Sequence, residues 1–441
     1  MTRVSVTGSL PDFEMSPEDV DLLGRIILRL GGYAEGLVDY HQLGMDRAVL
    51  NGHINDVYAM VRDLLHSSAD ESTRVFALRP PNIPRSAVWE DVGNSWNYLQ
   101  TLRFAAGSMM MTQKYRKFMS KENLRKAHLA KVLHKCQIGI LDDLIDKGDY
   151  TYLEAKDIHH LVLSSMVDPY FDENAFVKHL IDALKQEQMP LFELVTLITK
   201  HFNRLWNQSP HGSDYFYWME LLDERVALGQ GLTMFQKEER LNIAQMKKIA
   251  SAFFAPTDEF TWYEKIAAHV SSTTRYNFID MAFSDHEFDM HRLESFLTGW
   301  YYYDTAIILM DHAVSVYPDL RNGIANFSLV AMRERDLLSL TSVKGYDPQL
   351  TLNDYEAHLA RLAYLSRRAL EYVHHDFPEE DSYYAFVTIM MPVVMMADWI
   401  GNRDDMIHKY LQQIAPAIRK AAAPIAPTDA AATALTAADE R

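Results

Sequence analysis

Apolar residues recur at intervals of three and four along much of this chain, a spacing that places them on one face of an α-helix. The segments with this spacing are Val57–Leu65, Leu124–Leu144, Ala175–Leu184, Leu191–Phe202, Leu293–Val316 and Leu352–Val373. Alternating patterns typical of β-strands are scarce. Helix-breaking residues are also sparse, with 18 Gly and 16 Pro among 441 residues. The pattern therefore predicts an all-α protein.

Polar residues suited to helix capping stand just before two of these segments. Ser120 is followed three residues later by Asn123, and Thr351 by Asp354. A Ser or Thr side chain at such a position accepts a hydrogen bond from an unpaired backbone N–H of the first helical turn. We therefore expect helices to begin directly after Ser120 and Thr351.

The chain has no internal repeat and no linker long enough to require two domains. We predict a flexible N-terminal segment over residues 1–15 and a single all-α domain over residues 16–420. Residues 421–441 consist mostly of Ala, Pro, Thr and Asp, a composition with too few large apolar side chains to form a core. This last segment is predicted to be a disordered tail.

Composition excludes several classes of protein. Asp and Glu number 60 against 43 Lys and Arg, a net charge of −17, which argues against nucleic-acid binding and against a polybasic membrane anchor. One cysteine, Cys136, cannot form a disulfide framework and suits the reducing cytoplasm. The longest apolar run, Ala385–Ala397, is too short for a membrane span. We therefore predict a cytoplasmic protein that binds no nucleic acid and does not span a membrane.

An acidic motif interrupts the apolar segment that precedes residue 147. It reads LDDLID and contains Asp142, Asp143 and Asp146. Asp142 and Asp146 are one helical turn apart, so they share a face. Carboxylate oxygens are ligands that Mg²⁺ prefers, with phosphate oxygens and water completing its shell. Taken alone, the motif is equally typical of a solvated helix end.

A second polar series lies in another apolar segment. Asp311, Ser315 and Asp319 follow one another at intervals of four, near one helical face. Alone, this series is typical of the polar side of an amphipathic helix. Two such motifs together favour a metal site between facing helices of a bundle. Pro318 removes a backbone donor, so we expect it to disturb the direction in which Asp319 projects.

Three stretches resemble one enzyme family. The stretch Gln137–Asp168 resembles the first metal-motif region of the large bacterial terpene synthases of the tetraprenyl-β-curcumene synthase type. Leu309–Phe327 resembles the second acidic helix of that family, and Trp218–Phe235 resembles its Gly-interrupted helix. The resemblance implies a class I terpene synthase with an isoprenoid-synthase-like helical bundle around a central apolar cavity. The implied substrate is a linear prenyl diphosphate, from farnesyl to geranylfarnesyl or longer, which is ionised and cyclised with release of diphosphate.

The resemblance also implies metal ions and residue roles. The expected cofactor is Mg²⁺, roughly three ions bound together with the substrate diphosphate. The implied metal ligands are Asp142, Asp143, Asp146, Asp311, Ser315 and Asp319. An acidic chain repels a diphosphate, so basic partners are needed as well. The candidates for contacts to the diphosphate are Arg275, Arg225, Arg321 and Lys344, and Arg275 is also expected to act in catalysis with the first motif.

A carbocation needs walls without nucleophiles, and aromatic faces stabilise it through their quadrupoles. The candidates for the substrate pocket are Phe104, Gly229, Trp300, Tyr303 and Trp399. Aromatic residues at such positions are also typical of an ordinary core. Gly229 and Gly231 lack the third glycine of a dinucleotide-binding loop, and we expect them instead to break a helix and expose carbonyl groups to the cavity.

Other functions stay open at this point. A prenyl transferase or a squalene-synthase-like coupling enzyme would share the fold, although Asp311 and Ser315 fit neither a second DDxxD nor a second DxxxD motif. A non-catalytic helical scaffold would carry both motifs as solvated faces. A di-iron enzyme requires two ExxH motifs, and only Glu371–His374 provides one. The oligomeric state also stays open, and the resemblance is compatible with a homodimer.

Overall fold

The structure is a computed structural model that describes residues 111–186, 189–234, 243–252, 258–288, 293–333 and 349–373, together with positions 389, 392, 393 and 396. The predicted N-terminal segment 1–15, the predicted tail 421–441 and the predicted helix Val57–Leu65 lie outside these ranges. The structure therefore describes only the middle part of the single domain predicted over residues 16–420.

The described residues form eleven α-helices and one short 3-10 helix, Gln113–Phe118. The α-helices are α1 (Lys121–Lys147), α2 (Tyr152–Val167), α3 (Glu173–Ala183), α4 (Met189–Asn207), α5 (Gly212–Thr233), α6 (Ile243–Ala252), α7 (Trp262–Val270), α8 (Thr273–Ala282), α9 (Leu293–Asn322), α10 (Phe327–Arg333) and α11 (Leu352–Val373). These ranges contain no strand, and none of their helices is both long and apolar enough to cross a bilayer. The predicted all-α class is confirmed for this part of the chain.

Local capping explains where the predicted helices begin. The Ser120 hydroxyl accepts a hydrogen bond from the Asn123 backbone N–H at the start of α1. Asp354 accepts hydrogen bonds from both the backbone N–H and the hydroxyl of Thr351, at 2.7 Å each, at the start of α11. Because these groups satisfy donors that a helix end leaves unpaired, both predicted starts are confirmed.

The helices pack around one apolar core. α2 lies along α5 and α4, while α9 lies along α11 and α7, and α5 joins the two groups through α7. The short helix α8 packs against α1, α5 and α9, and all of its residues are buried. α8 is thus an internal helix, and it lies against both helices that carry the acidic motifs.

Gly229 and Gly231 do not break a helix, so that prediction is wrong. α5 runs without interruption from Gly212 to Thr233. A Cβ atom at Gly229 would lie 2.5 Å from the carbonyl carbon of His269 in α7, and one at Gly231 would lie 2.6 Å from the carbonyl oxygen of Tyr152 in α2. The glycines are required because two neighbouring backbones approach α5 too closely for any side chain.

Replacing Gly229 with alanine is expected to lower the free energy of unfolding by about 1–3 kcal/mol, because the new methyl group overlaps the backbone of His269. In an open helix the same change would stabilise by about 1 kcal/mol. Urea denaturation measures the difference. Glu224→Ala, at an exposed position of α5, serves as the control and should stay within about 0.5 kcal/mol of wild type. A Gly229→Ala protein as stable as wild type would contradict the close packing.

Candidate functional site

The first acidic motif lies at the C-terminal end of α1. α1 ends at Lys147, so Asp142 and Asp146 stand in its last two turns. Negative charge is unfavourable there because the C-terminal end of the helix dipole is itself negative. The Asp142 side chain is 42% exposed, yet its Oδ1 is buried and has no hydrogen-bond partner among the described residues. A cation would relieve both of these unfavourable features.

The second motif keeps its predicted geometry. α9 continues through Pro318 to Asn322, and the Ser315 hydroxyl donates to Asp319 Oδ2 at 2.7 Å. The expected disturbance by Pro318 is therefore wrong, since Asp319 still shares a face with Ser315. The Asn326 amide donates to the same Asp319 oxygen, also at 2.7 Å. These two donors fix the orientation of the Asp319 carboxyl.

Burial raises the pKa of Asp319 to about 7, in spite of the hydrogen bonds from Ser315 and Asn326, and the negative charge of Asp311 adds to the increase. The pKa of Asp311 is raised as well. Its main cause is desolvation, which the Lys135 ammonium opposes and the Asp142 carboxylate reinforces. The charges of Lys135 and Asp142 on α1 therefore act on Asp311 of α9.

Asp311 is exposed to solvent and is nevertheless partly desolvated. Its side chain is accessible to solvent, although protein surrounds it closely enough for desolvation to raise its pKa. Lys135, which opposes that increase, precedes Asp142 by seven residues, or two helical turns, so both lie on one face of α1. Lys135 and Asp142 on α1 are therefore close enough to Asp311 on α9 to interact with it electrostatically.

These residues fit a hard divalent cation in part. Among the side chains that the structure describes, no three His, Cys, Asp or Glu residues converge closely enough to enclose a metal ion. The side chain of Asp143 is outside this description. Mg²⁺ is commonly held by one or two carboxylates, with phosphate oxygens and water as its other ligands. Asp142 and Asp311 suit that mode of binding, in which the substrate itself completes the site.

Arg275 lies in the core on α8. Its side chain is fully buried, its Nε is 2.6 Å from Asp223 Oδ1, and its Nη1 donates to His134 Nε2 at 2.7 Å. His134 precedes Asp142 by eight residues, about 12 Å along α1. The structure thus pairs Arg275 with α5 and α1 and does not bring its guanidinium to the acidic motifs, so its predicted contact with diphosphate stays a prediction.

A second buried ion pair lies beside the first. Lys131 Nζ on α1 is 2.7 Å from Asp280 Oδ2 on α8, and both side chains are fully buried. Burial lowers the pKa of Lys131, while the Asp280 carboxylate opposes that decrease. One ion pair and one hydrogen bond therefore fix α8 against α1, the helix of the first motif, and a second ion pair fixes α8 against α5, an arrangement that the sequence did not reveal.

The other predicted basic residues are placed as follows. Arg225 is partly buried on α5, where burial lowers its pKa and its charge interacts with the Tyr301 hydroxyl. Arg321 belongs to α9, but its side chain is not described. Lys344 lies outside the described ranges. The Lys135 ammonium does act on Asp311 of the second motif, and sequence reasoning missed it.

The predicted pocket residues are placed mainly in the core. Trp300 and Tyr303 on α9 are buried, with ring centroids 5.2 Å apart in an edge-to-face contact. Gly229 lies in the contact between α5 and α7. Phe104 and Trp399 lie outside the described ranges. A contact of these residues with substrate stays a prediction.

His159 on α2 is a neighbour of the first motif that the sequence did not distinguish from His160. It is fully buried, and its Nε2 is 3.9 Å from Asp142 Oδ1. The adjacent His160 is exposed. Adjacent residues of a helix point in different directions, so only the packing of α2 on its neighbours shows which histidine faces the acids.

Comparison with known proteins does not assign this chain to a family. No protein-family model matches the chain, and no curated protein matches its sequence. The residues and their arrangement are therefore the evidence for the function of this chain.

Proposed function

We propose that this chain is a Mg²⁺-dependent class I terpene synthase. It would ionise a linear prenyl diphosphate, of farnesyl to geranylfarnesyl length or longer, and cyclise the resulting carbocation with release of diphosphate. The observation that carries the proposal is the electrostatic interaction between Asp142 on α1 and Asp311 on α9. Acidic residues of two separate helices thus act on each other, and one buried carboxylate oxygen of Asp142 has no partner among the described residues.

In this proposal the residues around the acidic motifs have different roles. Asp142 and Asp311 would hold the metal from two different helices, while Ser315 and Asn326 hold the Asp319 carboxyl in one orientation. The metal would supply positive charge against the negative charge that develops on a departing diphosphate. Lys135 adds a positive charge on the same side of α1, which offsets the repulsion between an acidic protein and its anionic substrate.

The burial of the acids favours an enzyme over a scaffold. In a scaffold with solvated motifs, the carboxylates would be fully hydrated. Here one oxygen of Asp142 is buried without a described partner, and Asp319 is only 9% exposed. Burying a carboxylate oxygen without a partner is costly unless it binds a cation, so the placement of Asp142 supports a binding role.

The experiment is incubation of the purified chain with Mg²⁺ and farnesyl, geranylgeranyl or geranylfarnesyl diphosphate, followed by mass spectrometry of the organic extract. We expect a cyclic hydrocarbon or alcohol that disappears with EDTA and in Asp142→Ala. Asp149→Ala, at an exposed position just beyond α1, is the matched control and should keep its activity. Linear coupled products would favour the prenyl-coupling alternative. Activity that survives EDTA, or turnover of neither these three substrates nor a longer linear prenyl diphosphate, would contradict the proposal.

A further inference from the structure

His159 is a buried side chain whose ring orientation is fixed by its own helix. It is fully buried on α2, and its Nδ1 is 3.0 Å from the carbonyl oxygen of Ala155, one turn earlier. A carbonyl oxygen only accepts hydrogen bonds, so Nδ1 carries the hydrogen. In the neutral ring Nε2 is then an acceptor with a lone pair.

This Nε2 faces another acceptor. It lies 3.9 Å from Asp142 Oδ1, and neither atom has a hydrogen-bond partner within the part of the chain that the structure describes. Buried polar atoms are nearly always paired, and two facing acceptors repel each other. The pair therefore needs a positive charge between its two atoms.

The separation of the two atoms suits a bound metal ion better than a direct hydrogen bond. A hydrogen bond between nitrogen and oxygen requires about 2.7–3.2 Å. Nitrogen and oxygen ligands each lie about 2.1 Å from a metal ion, so neighbouring ligands of one ion are about 3.0–3.4 Å apart. The observed 3.9 Å exceeds this spacing by about 0.5–0.9 Å, which a small rotation of the Asp142 side chain, itself 42% exposed, would remove. In addition, histidines that bind metals commonly donate their other ring N–H to a backbone carbonyl, as His159 does to Ala155.

We propose that His159 Nε2 and Asp142 Oδ1 are two ligands of a site whose imidazole favours a divalent transition-metal ion over Mg²⁺; Mn²⁺, which binds imidazole least tightly among these ions, is the spectroscopic probe for it. An all-carboxylate site would favour the hard ion Mg²⁺, whereas imidazole is a ligand of transition metals. Solvent or phosphate oxygens complete the shell, because no third His, Cys, Asp or Glu side chain among the described residues joins the pair. The inference rests on the proposed function only for the role of Asp142 in metal binding.

Pulsed EPR on Mn²⁺ bound to the full chain tests this site directly. Measured with and without inorganic diphosphate, the wild-type spectrum is expected to show modulation from the ¹⁴N nucleus of a coordinated imidazole. His159→Phe should abolish the modulation and weaken Mn²⁺ binding about tenfold or more, while Mg²⁺ binding changes less than about twofold. His160→Phe, which alters the exposed neighbour, is the matched control and should change neither quantity.

The outcomes separate this site from the proposed reaction. Wild-type Mn²⁺ without ¹⁴N modulation overturns the proposal even if His159→Phe fails to fold, and so does modulation that persists in a folded His159→Phe protein. Because the spectra require no prenyl diphosphate, they do not depend on turnover. A chain that binds Mn²⁺ through His159 but converts no prenyl diphosphate would contradict the proposed function and leave the metal site established.

Discussion

Replacing Arg275 with methionine is expected to lower the free energy of unfolding by about 3–5 kcal/mol, because it leaves the carboxylate of Asp223 buried without its partner. Both side chains of this pair are fully buried, with 2.6 Å between Arg275 Nε and Asp223 Oδ1. The substitution also removes the hydrogen bond that His134 Nε2 accepts. A buried ion pair adds little net stability by itself, but removing one partner leaves an uncompensated charge buried away from water.

This loss should grow with pH. Burial raises the pKa of Asp223 to about 7, against the opposing influence of Arg275, so the folded chain holds a proton there at pH values where the unfolded chain has released it. Stability from this group is therefore largest at low pH and is lost as the pH rises through about 7. Without Arg275 the pKa of Asp223 rises further. Arg275→Met should consequently be more destabilising at pH 8 than at pH 5.5.

Urea denaturation at the two pH values measures both effects. In the double variant Arg275→Met with Asp223→Leu, much of the lost stability should return, because apolar residues replace the whole pair. Arg204→Met, at an exposed position of α4, is the control and should have little effect at either pH. A loss below about 1 kcal/mol for Arg275→Met, or equal losses in the single and double variants, would show that the pair is not buried as described.

The sequence predicted the amphipathic helices but not the internal one. The helix α11 follows the spacing of its apolar residues, since its buried positions recur at helical intervals between exposed or half-buried ones. α8 carries Arg275, Asn277 and Asp280 among apolar residues, yet all of them are buried. A helix buried on every side has no polar face, so its residues show no amphipathic spacing. Their ion pairs depend on partners in α1 and α5 that are distant in the chain.

The candidate site was predictable only where its residues share a helix. The spacing of four residues identified Asp142 with Asp146, and Asp311 with Ser315. Lys135 and His159 were missed, because their importance comes from how α1 packs on its neighbours. Likewise, Gly229 suggested a break in α5 until its contact with the backbone of α7 was known. Such contacts between helices are set by tertiary packing, which the local pattern of the sequence does not contain.

Replacing Asp311 with asparagine is expected to lower kcat/KM for prenyl diphosphate ionisation by about 10²–10³-fold, the loss typical of removing one group that stabilises charge in the transition state. The same change should leave the melting temperature unchanged or raise it. The pKa of Asp311 is higher in the folded than in the unfolded chain, chiefly because of desolvation. Ionised Asp311 therefore destabilises the fold at neutral pH, and a neutral amide of the same shape removes that cost together with the repulsion from Asp142.

Opposite effects on activity and stability distinguish a binding group from a structural one. Steady-state kinetics over a range of Mg²⁺ concentrations and thermal unfolding should be measured on the same Asp311→Asn preparation. Glu294→Gln, which neutralises an exposed carboxylate in the first turn of the same helix, is the matched control and should change neither quantity. If Asp311→Asn lowers activity and the melting temperature together, Asp311 supports the fold. If it retains full activity, then the acids of α1 and α9 do not form the site at which diphosphate is bound.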